Sequence, residues 1–255
     1  VTAYKDGFKM LNLSNNRRLL VYMDARQISL YDKSRKEYQN FYHQEKLNGL
    51  AFENEIYYPY ENLEILKEYH FIEHLYICQK NITDLTGLKY AKRLKGLYVM
   101  ENKAALDFSL DNIRCNLRYL SLNWHYKVSK MNCLSSLATL RLTRDRDEVK
   151  LPINIEEIQL DFTHRTNLDI FEGFTALKRL SIHKASKLND IGGLSDCGDT
   201  LEELELAYCK NLRDYSPILK LSKLKVLKIN NYHKSCISNL ESLRSKIQLR
   251  TQVLI

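Results

Sequence analysis

Apolar residues recur along this chain as a triplet, L-x-x-L-x-L, with Ile, Val or Phe standing in for Leu at some sites. The triplet begins at Leu47-Leu50-Phe52 and returns as Ile72-Leu75-Ile77, Leu94-Leu97-Val99, Leu117-Leu120-Leu122 and Leu137-Leu140-Leu142. It continues as Ile155-Ile158-Leu160, Leu177-Leu180-Ile182, Leu201-Leu204-Leu206 and Leu224-Leu227-Ile229. Successive starts lie 18 to 25 residues apart. One or two matches mean little in a leucine-rich chain, but nine at near-constant spacing define a structural period. The inner L-x-L alternates with period two, which predicts a short strand with one buried face. Later apolar residues close the coil, as Leu188, Ile191 and Leu194 do after Leu177, and Leu212, Tyr215 and Ile218 do after Leu201. A lone coil cannot bury its apolar edge, whereas stacked coils share a continuous core.

From about Leu47 to Ile229 the chain resembles the leucine-rich-repeat family. The stretch Ile72-Glu73-His74-Leu75-Tyr76-Ile77-Cys78, followed by Ile82-Thr83-Asp84-Leu85-Thr86-Gly87-Leu88, is similar to bacterial, internalin-type repeats. Leu201 to Leu212, with Cys209 after the strand, resembles the cysteine-containing class. The family's Asn or Cys in the turn after the strand is often replaced, with Lys80, His125, Thr163, Ala185 and Tyr232 nearby. The resemblance implies an α/β fold, a leucine-rich-repeat solenoid coiled right-handedly with a parallel sheet on its concave side. It also implies a module that binds other proteins. The run Arg141 to Leu151 has too few apolar residues for a helix, so extended backbone is expected there.

The first 46 residues stand outside the repeat. Apolar runs at Phe8–Leu13 and Leu19–Met23, split by Ser14-Asn15-Asn16-Arg17-Arg18, predict a β-hairpin cap, with Ile28–Tyr31 as a candidate third strand. About nine repeats fill 47–235. Residues 236–255 are expected to close the other end, with a short helix at Ile237–Leu243.

Strand alternation turns the residues flanking each buried L-x-L outward. Tyr76, Tyr98, Met100, Tyr119, Asn123 and Trp124 fall on such positions, as do Arg141, Arg144, Asp161, Phe162 and His183. Tyr, Trp and Arg are the usual anchors of protein interfaces, and the single Trp of the chain belongs to this group. These eleven residues are the candidate partner-binding set. The same aromatics would also serve as cross-strand pairs that stabilise the sheet.

Charge and chemistry narrow the function further. The net charge of +8 is distributed as +4 over residues 1–46, +2 over 47–155, −5 over 156–212 and +7 over 213–255. This is no continuous phosphate-tracking stripe. It suits a protein partner with acidic patches better than nucleic acid, and association of the basic ends with nucleic acid or an acidic surface is the alternative. The six cysteines form no C-x-x-C pair, so neither a metal site nor a redox motif is expected. No apolar run is long enough to span a bilayer, and Val1–Met10 lacks the apolar core of a secretory signal. A cytoplasmic monomer is expected, unless a leader has been removed. The asparagine strings at Asn12 and Asn81 match the glycosylation pattern and carry little weight without such a signal. His74 and Cys78 share a strand and are predicted to face outward, but at four residues' separation they lie roughly 13 Å apart, too far for a nucleophile and its base. No G-x-S-x-G, phosphate-binding loop or H-E-x-x-H is present. The expected role is therefore non-catalytic binding with no cofactor, either as an immunity or antitoxin-type inhibitor or as a scaffold.

Overall fold

A computed structural model of the chain describes residues 1–14, 16–22, 34–54, 58, 60–100, 104–114, 116–124, 127–146, 148–231, 233–236 and 253–254. Two compact units emerge, Val1–Ser121 with Tyr126–Lys130, and Leu122–His125 with Met131–Ile255.

In the first unit, β1 (Thr2–Lys5) and β2 (Phe8–Asn12) pair antiparallel, as do β2 and β3 (Arg18–Val21). Next to β3, in parallel, lies the first repeat strand β4 (Gly49–Phe52), then β5 (His74–Ile77) and β6 (Gly96–Val99). A small parallel pair, β7 (Leu106–Asp107) and β9 (Val128–Ser129), stands apart from that sheet. β8 (Tyr119–Asn123) runs across the boundary between the units. The second unit continues with β10 (Thr139–Thr143), β11 (Glu157–Asp161), β12 (Arg179–His183), β13 (Glu203–Ala207), β14 (Val226–Asn230) and β15 (Val253–Leu254), all parallel. From β10 to β13 the register is unbroken, Leu140 facing Ile158, Leu180 and Leu204 in turn.

Every predicted triplet thus delivers one strand, and its two inner residues are buried. Leu50, Leu75, Leu97, Leu140, Leu160 and Ile182 are wholly inaccessible. The return paths are short 3-10 turns, among them Glu64–Lys67, Thr86–Tyr90, Gly192–Cys197 and Ser216–Lys220. Their apolar residues, including Leu194 and Ile218, complete the core. Among the described residues between Arg144 and Glu156 no helical turn forms, in keeping with the poverty of apolar residues there. The architecture is that of a leucine-rich-repeat solenoid.

The N-terminal segment covers β4 in two ways. β3 satisfies the strand's free backbone groups. Helix α1 (Arg35–Gln44) then lays Tyr38, Phe41 and Tyr42 into an aromatic cluster. There Phe8 stacks on Phe41 at 4.1 Å, and Tyr22 lies 5.1 Å from Tyr38. The sequence reading missed this helix. Its signal was the capping box Ser34-Arg35-Lys36-Glu37, in which Ser34 Oγ accepts from the Glu37 N–H and the Glu37 carboxylate accepts from the Ser34 N–H. The candidate strand Ile28–Tyr31 and the candidate helix Ile237–Leu243 lie outside the described residues.

Ion pairs join neighbouring coils on the edge where strands begin. Lys178 bonds Glu156 at 2.9 Å, Arg179 bonds Glu157 at 2.8 Å and Lys225 bonds Glu202 at 2.6 Å. In the first unit Lys95 bonds Glu73 at 2.8 Å.

One coil departs from the apolar rule. Arg165 precedes Leu168 by three residues, as the core residues Leu188 and Leu212 precede Ile191 and Tyr215 before the 3-10 turns of later coils, and it is only 1% exposed. Its Nε donates to Asp145 Oδ2 at 2.5 Å, and its Nη2 reaches the Val149 carbonyl at 3.4 Å. Asp145 is fully buried. Desolvation pushes its carboxyl above the usual range, opposed by the Arg165 charge. Removing one member leaves an uncompensated buried charge, whereas removing both does not. Arg165→Leu alone should cost about 3–5 kcal/mol, and adding Asp145→Asn should restore most of that loss. Urea unfolding of the single and double variants checks this.

Candidate functional site

In-register parallel strands bring equivalent side chains into rows about 4.8 Å apart. In the second unit one outward row reads Arg141, Gln159, Ser181, Glu205 and Lys228. The next reads Thr143, Asp161, His183, Ala207 and Asn230. Asp161 is the centre of a network across these rows. Its carboxylate accepts from Arg141 Nε at 2.8 Å and from Gln159 Nε2 at 3.1 and 3.0 Å, and it lies 3.1 Å from His183 Nδ1. His183 Nε2 in turn lies 3.4 Å from Glu205 Oε1, without the alignment of a hydrogen bond. Asp161 is 7% exposed, so its charge needs these donors. Three strands, β10, β11 and β12, are thereby tied to one buried carboxylate.

Of the candidate set, Arg141, Asp161 and His183 are brought together here. Gln159 and Glu205 belong to the same network but were not singled out in the sequence; their signal was the shared row. Arg144 and Phe162 lie one residue beyond their strands, both exposed. The Lys184 ammonium sits 4.5 Å from the Phe162 ring centre. Asn123 and Trp124 are half-buried, and the Trp124 N–H donates to the Thr143 carbonyl at 2.8 Å.

The other four candidates occupy the first unit. Tyr76 and Tyr98 face each other in register with ring centres 6.5 Å apart. Both are half-buried, as are Met100 and Tyr119. The covering group is Arg17, from the turn between β2 and β3. It donates to the Tyr98 hydroxyl, and its guanidinium lies 5.3 Å from the Tyr98 ring centre and 5.7 Å from that of Tyr119. Ser14 fixes Arg17 through its carbonyl at 2.8 Å and its hydroxyl at 2.7 Å. Tyr76 packs against Leu19, Val21 and Ala51, beside Leu11 and Leu13. The chain's own N-terminal segment therefore occupies part of this face.

His74 corrects an expectation. It is buried rather than outward-exposed, at 7% accessibility. Its register partners are Gly49 and Gly96, and a Cβ on either would collide with it. Among the described residues Nδ1 has no hydrogen-bond partner. Burial pushes the imidazole down to about 4, and the Arg17 cation acts in the same direction. Cys78 receives Asn54 Nδ2 at 3.7 Å. Cys209 Sγ lies 4.0 Å from the Ile182 carbonyl of the preceding coil, and burial pushes its thiol up to about 11. Among the described residues, no group of His, Cys, Asp or Glu is arranged to hold a metal ion, and no helix is long and apolar enough to cross a membrane.

No family model matches the chain, and no curated protein matches it in sequence. Among solved structures it is similar to internalin C2 of Listeria monocytogenes, with 24% identity over 66% of this chain and 74% of that one, at a TM-score of 0.44. It is also similar to internalin F of the same organism, with 16% identity over 93% and 86% and a TM-score of 0.42. A leucine-rich-repeat protein of Leptospira interrogans gives 12% identity over 92% and 76%, with a TM-score of 0.37. The repeat architecture stands on this chain's own registered strands and buried triplets.

The depressed His74 pKa has a definite sign in folding. The native state favours the neutral ring, while the unfolded chain takes up a proton below about pH 6.5. The resulting stability is complete above that pH and is lost as pH falls through about 4. The wild type should lose about 2–3 kcal/mol more than His74→Asn between pH 7 and pH 4. Urea melts of both proteins at the two pH values check this.

Proposed function

We propose that this chain is a non-catalytic protein-binding module that seats its partner on the outward side of its repeat strands. The observation that carries the reading is the Asp161 network, which holds Arg141, Gln159 and His183 in fixed positions across neighbouring strands. A platform ordered in advance loses little conformational freedom when a partner arrives. In the second unit Trp124 and Phe162, with Asn123 and Arg144, would supply contact area beside the network, and in the first unit Tyr76, Tyr98, Met100 and Tyr119 would supply contact area of their own. Two observations speak against catalysis as its purpose. His183 is set among carboxylates rather than beside a nucleophile, and among the described residues no hydroxyl or thiol bonds to its ring.

The partner we propose is a protein with acidic patches, bound by a cytoplasmic monomer. Two versions of the role differ in what is covered. An immunity or antitoxin-type inhibitor would mask the active surface of a toxin, whereas a scaffold would hold its partner without silencing it. A one-to-one complex whose partner loses activity marks the first, and retained activity marks the second.

Trp124→Ala combined with Tyr98→Ala should leave the circular dichroism spectrum unchanged and weaken binding of the purified partner by about 2–4 kcal/mol. Titration calorimetry with the partner isolated from native cells measures it. Undiminished affinity in that variant and in Asp161→Asn would remove the strand face from the interface.

A further inference from the structure

The edge where the repeat strands of the second unit end differs in kind from the edge where they begin. At each exit the backbone turns through a left-handed residue. These are Arg144 (φ 62°), Phe162 (φ 52°), Lys184 (φ 56°), Tyr208 (φ 59°) and Asn231 (φ 53°). Glycine suits this conformation, and a residue with a Cβ costs roughly 1–2 kcal/mol there. The chain nevertheless places two cations and two aromatics in the row. The residues that follow are buried where described, namely Asp145, Thr163, Ala185 and Cys209. The next row, Arg146, His164, Ser186, Lys210 and His233, is exposed again.

All ten side chains of the two outer rows are exposed, and none is acidic. Phe162 and Tyr208 keep 47% and 45% of their surface in solvent. Among the described residues no carboxylate lies within ion-pair distance of Arg144 or Lys184, although Lys184 rests on the Phe162 ring. On the opposite edge Lys178, Arg179 and Lys225 are each neutralised by a glutamate of the preceding coil. The net charge of −5 over residues 156–212 therefore conceals a segregation within the coils. Compensated pairs line the strand starts, and uncompensated cations alternate with aromatics along the exits. A shallow hollow of about 440 Å³ opens beside Tyr208, Lys184, His183, Glu205, Asn230 and Asn231.

We propose that this exit edge is a docking strip for an acidic protein segment that also carries apolar side chains. The inference rests on the protein-binding reading above and extends it from the strand face to the strand exits, the two sharing Arg144 and Phe162. Charge complementarity selects the occupant. Alternate positions in the row lie about 9.6 Å apart, close to one turn of a polyproline II peptide, whose three residues rise about 9.3 Å and bring every third side chain back to the same face. Carboxylates three apart then meet Arg144 and Lys184, while apolar residues meet Phe162 and Tyr208. A phosphodiester chain would pass the Glu205 carboxylate in the hollow, whereas a peptide can present a neutral residue there.

The test is fluorescence anisotropy with a labelled (Glu-Leu-Glu)4 peptide, against (Lys-Leu-Lys)4 and a twelve-nucleotide oligothymidylate. The acidic peptide should bind, and Arg144→Glu with Lys184→Glu should weaken it at least tenfold. Phe162→Gly with Tyr208→Gly separates binding from folding, because glycine relaxes both turns. That variant should melt no lower than the wild type and bind the peptide several-fold more weakly. Tighter binding of oligothymidylate than of peptide would overturn the proposal in favour of a polyanion site. Peptide binding that survives both edge variants would overturn it too, as would a wild-type protein that ignores the peptide. In either of those cases, loss of the native partner on changing Trp124 and Tyr98 would leave the strand-face reading intact.

Discussion

Burial of one face of a short strand, repeated in register, is the constraint from which the rest follows. An isolated L-x-L has nothing to bury against; placed beside its copy one coil away, it loses its apolar surface from water. Leu140, Ile158, Leu180 and Leu204 are therefore stacked neighbours as well as core residues. Because the buried face fixes the register, it fixes the other face as well. Asp161 meets Arg141 and His183 because Leu160 meets Leu142 and Ile182. The proposed binding face is written on positions that the core leaves free but places one strand spacing apart.

The polar departures from this rule each have a local remedy. Arg165 and Asp145 replace apolar burial with a paired charge inside the second unit. His74 is accommodated by the absence of side chains at Gly49 and Gly96, and it remains neutral. The cysteines at Cys197, Cys209 and Cys236 set their sulfurs against carbonyls of preceding coils, between 3.6 and 4.0 Å away. In each case the backbone path of the coil is preserved while the chemistry of its interior changes.

The nine repeat strands were legible because period-two burial is a local signal, carried by three residues in each coil. The 3-10 turns were less so, since runs such as Thr86–Tyr90 are too short to show a helical period. Helix α1 was overlooked because its apolar residues, Tyr38, Phe41 and Tyr42, are aromatics within a polar stretch, although its capping box was spelled out. Arg17 could not be placed over Tyr98 from sequence, because the two are 81 residues apart and meet only after the hairpin folds back. Trp124 and Tyr98 read as members of one candidate set along the chain, yet they belong to different units. Net charge counted along the chain also misled, because a coil of the second unit sets its acid–base pairs at the strand start and exposed cations without acids at the exit.

The glutamate and lysine pairs at the strand starts alternate in sign from coil to coil. Glu156 meets Lys178, and Glu202 meets Lys225; in the adjoining row Glu157, Arg179 and Glu203 follow one another. Excision of the single coil that carries Lys178 and Arg179 would set Glu156 against Glu202 and Glu157 against Glu203, and like charges directly opposite are unfavourable. Excision of two consecutive coils would preserve the alternation. Over these four coils the edge thus opposes an odd change in coil number and tolerates an even one.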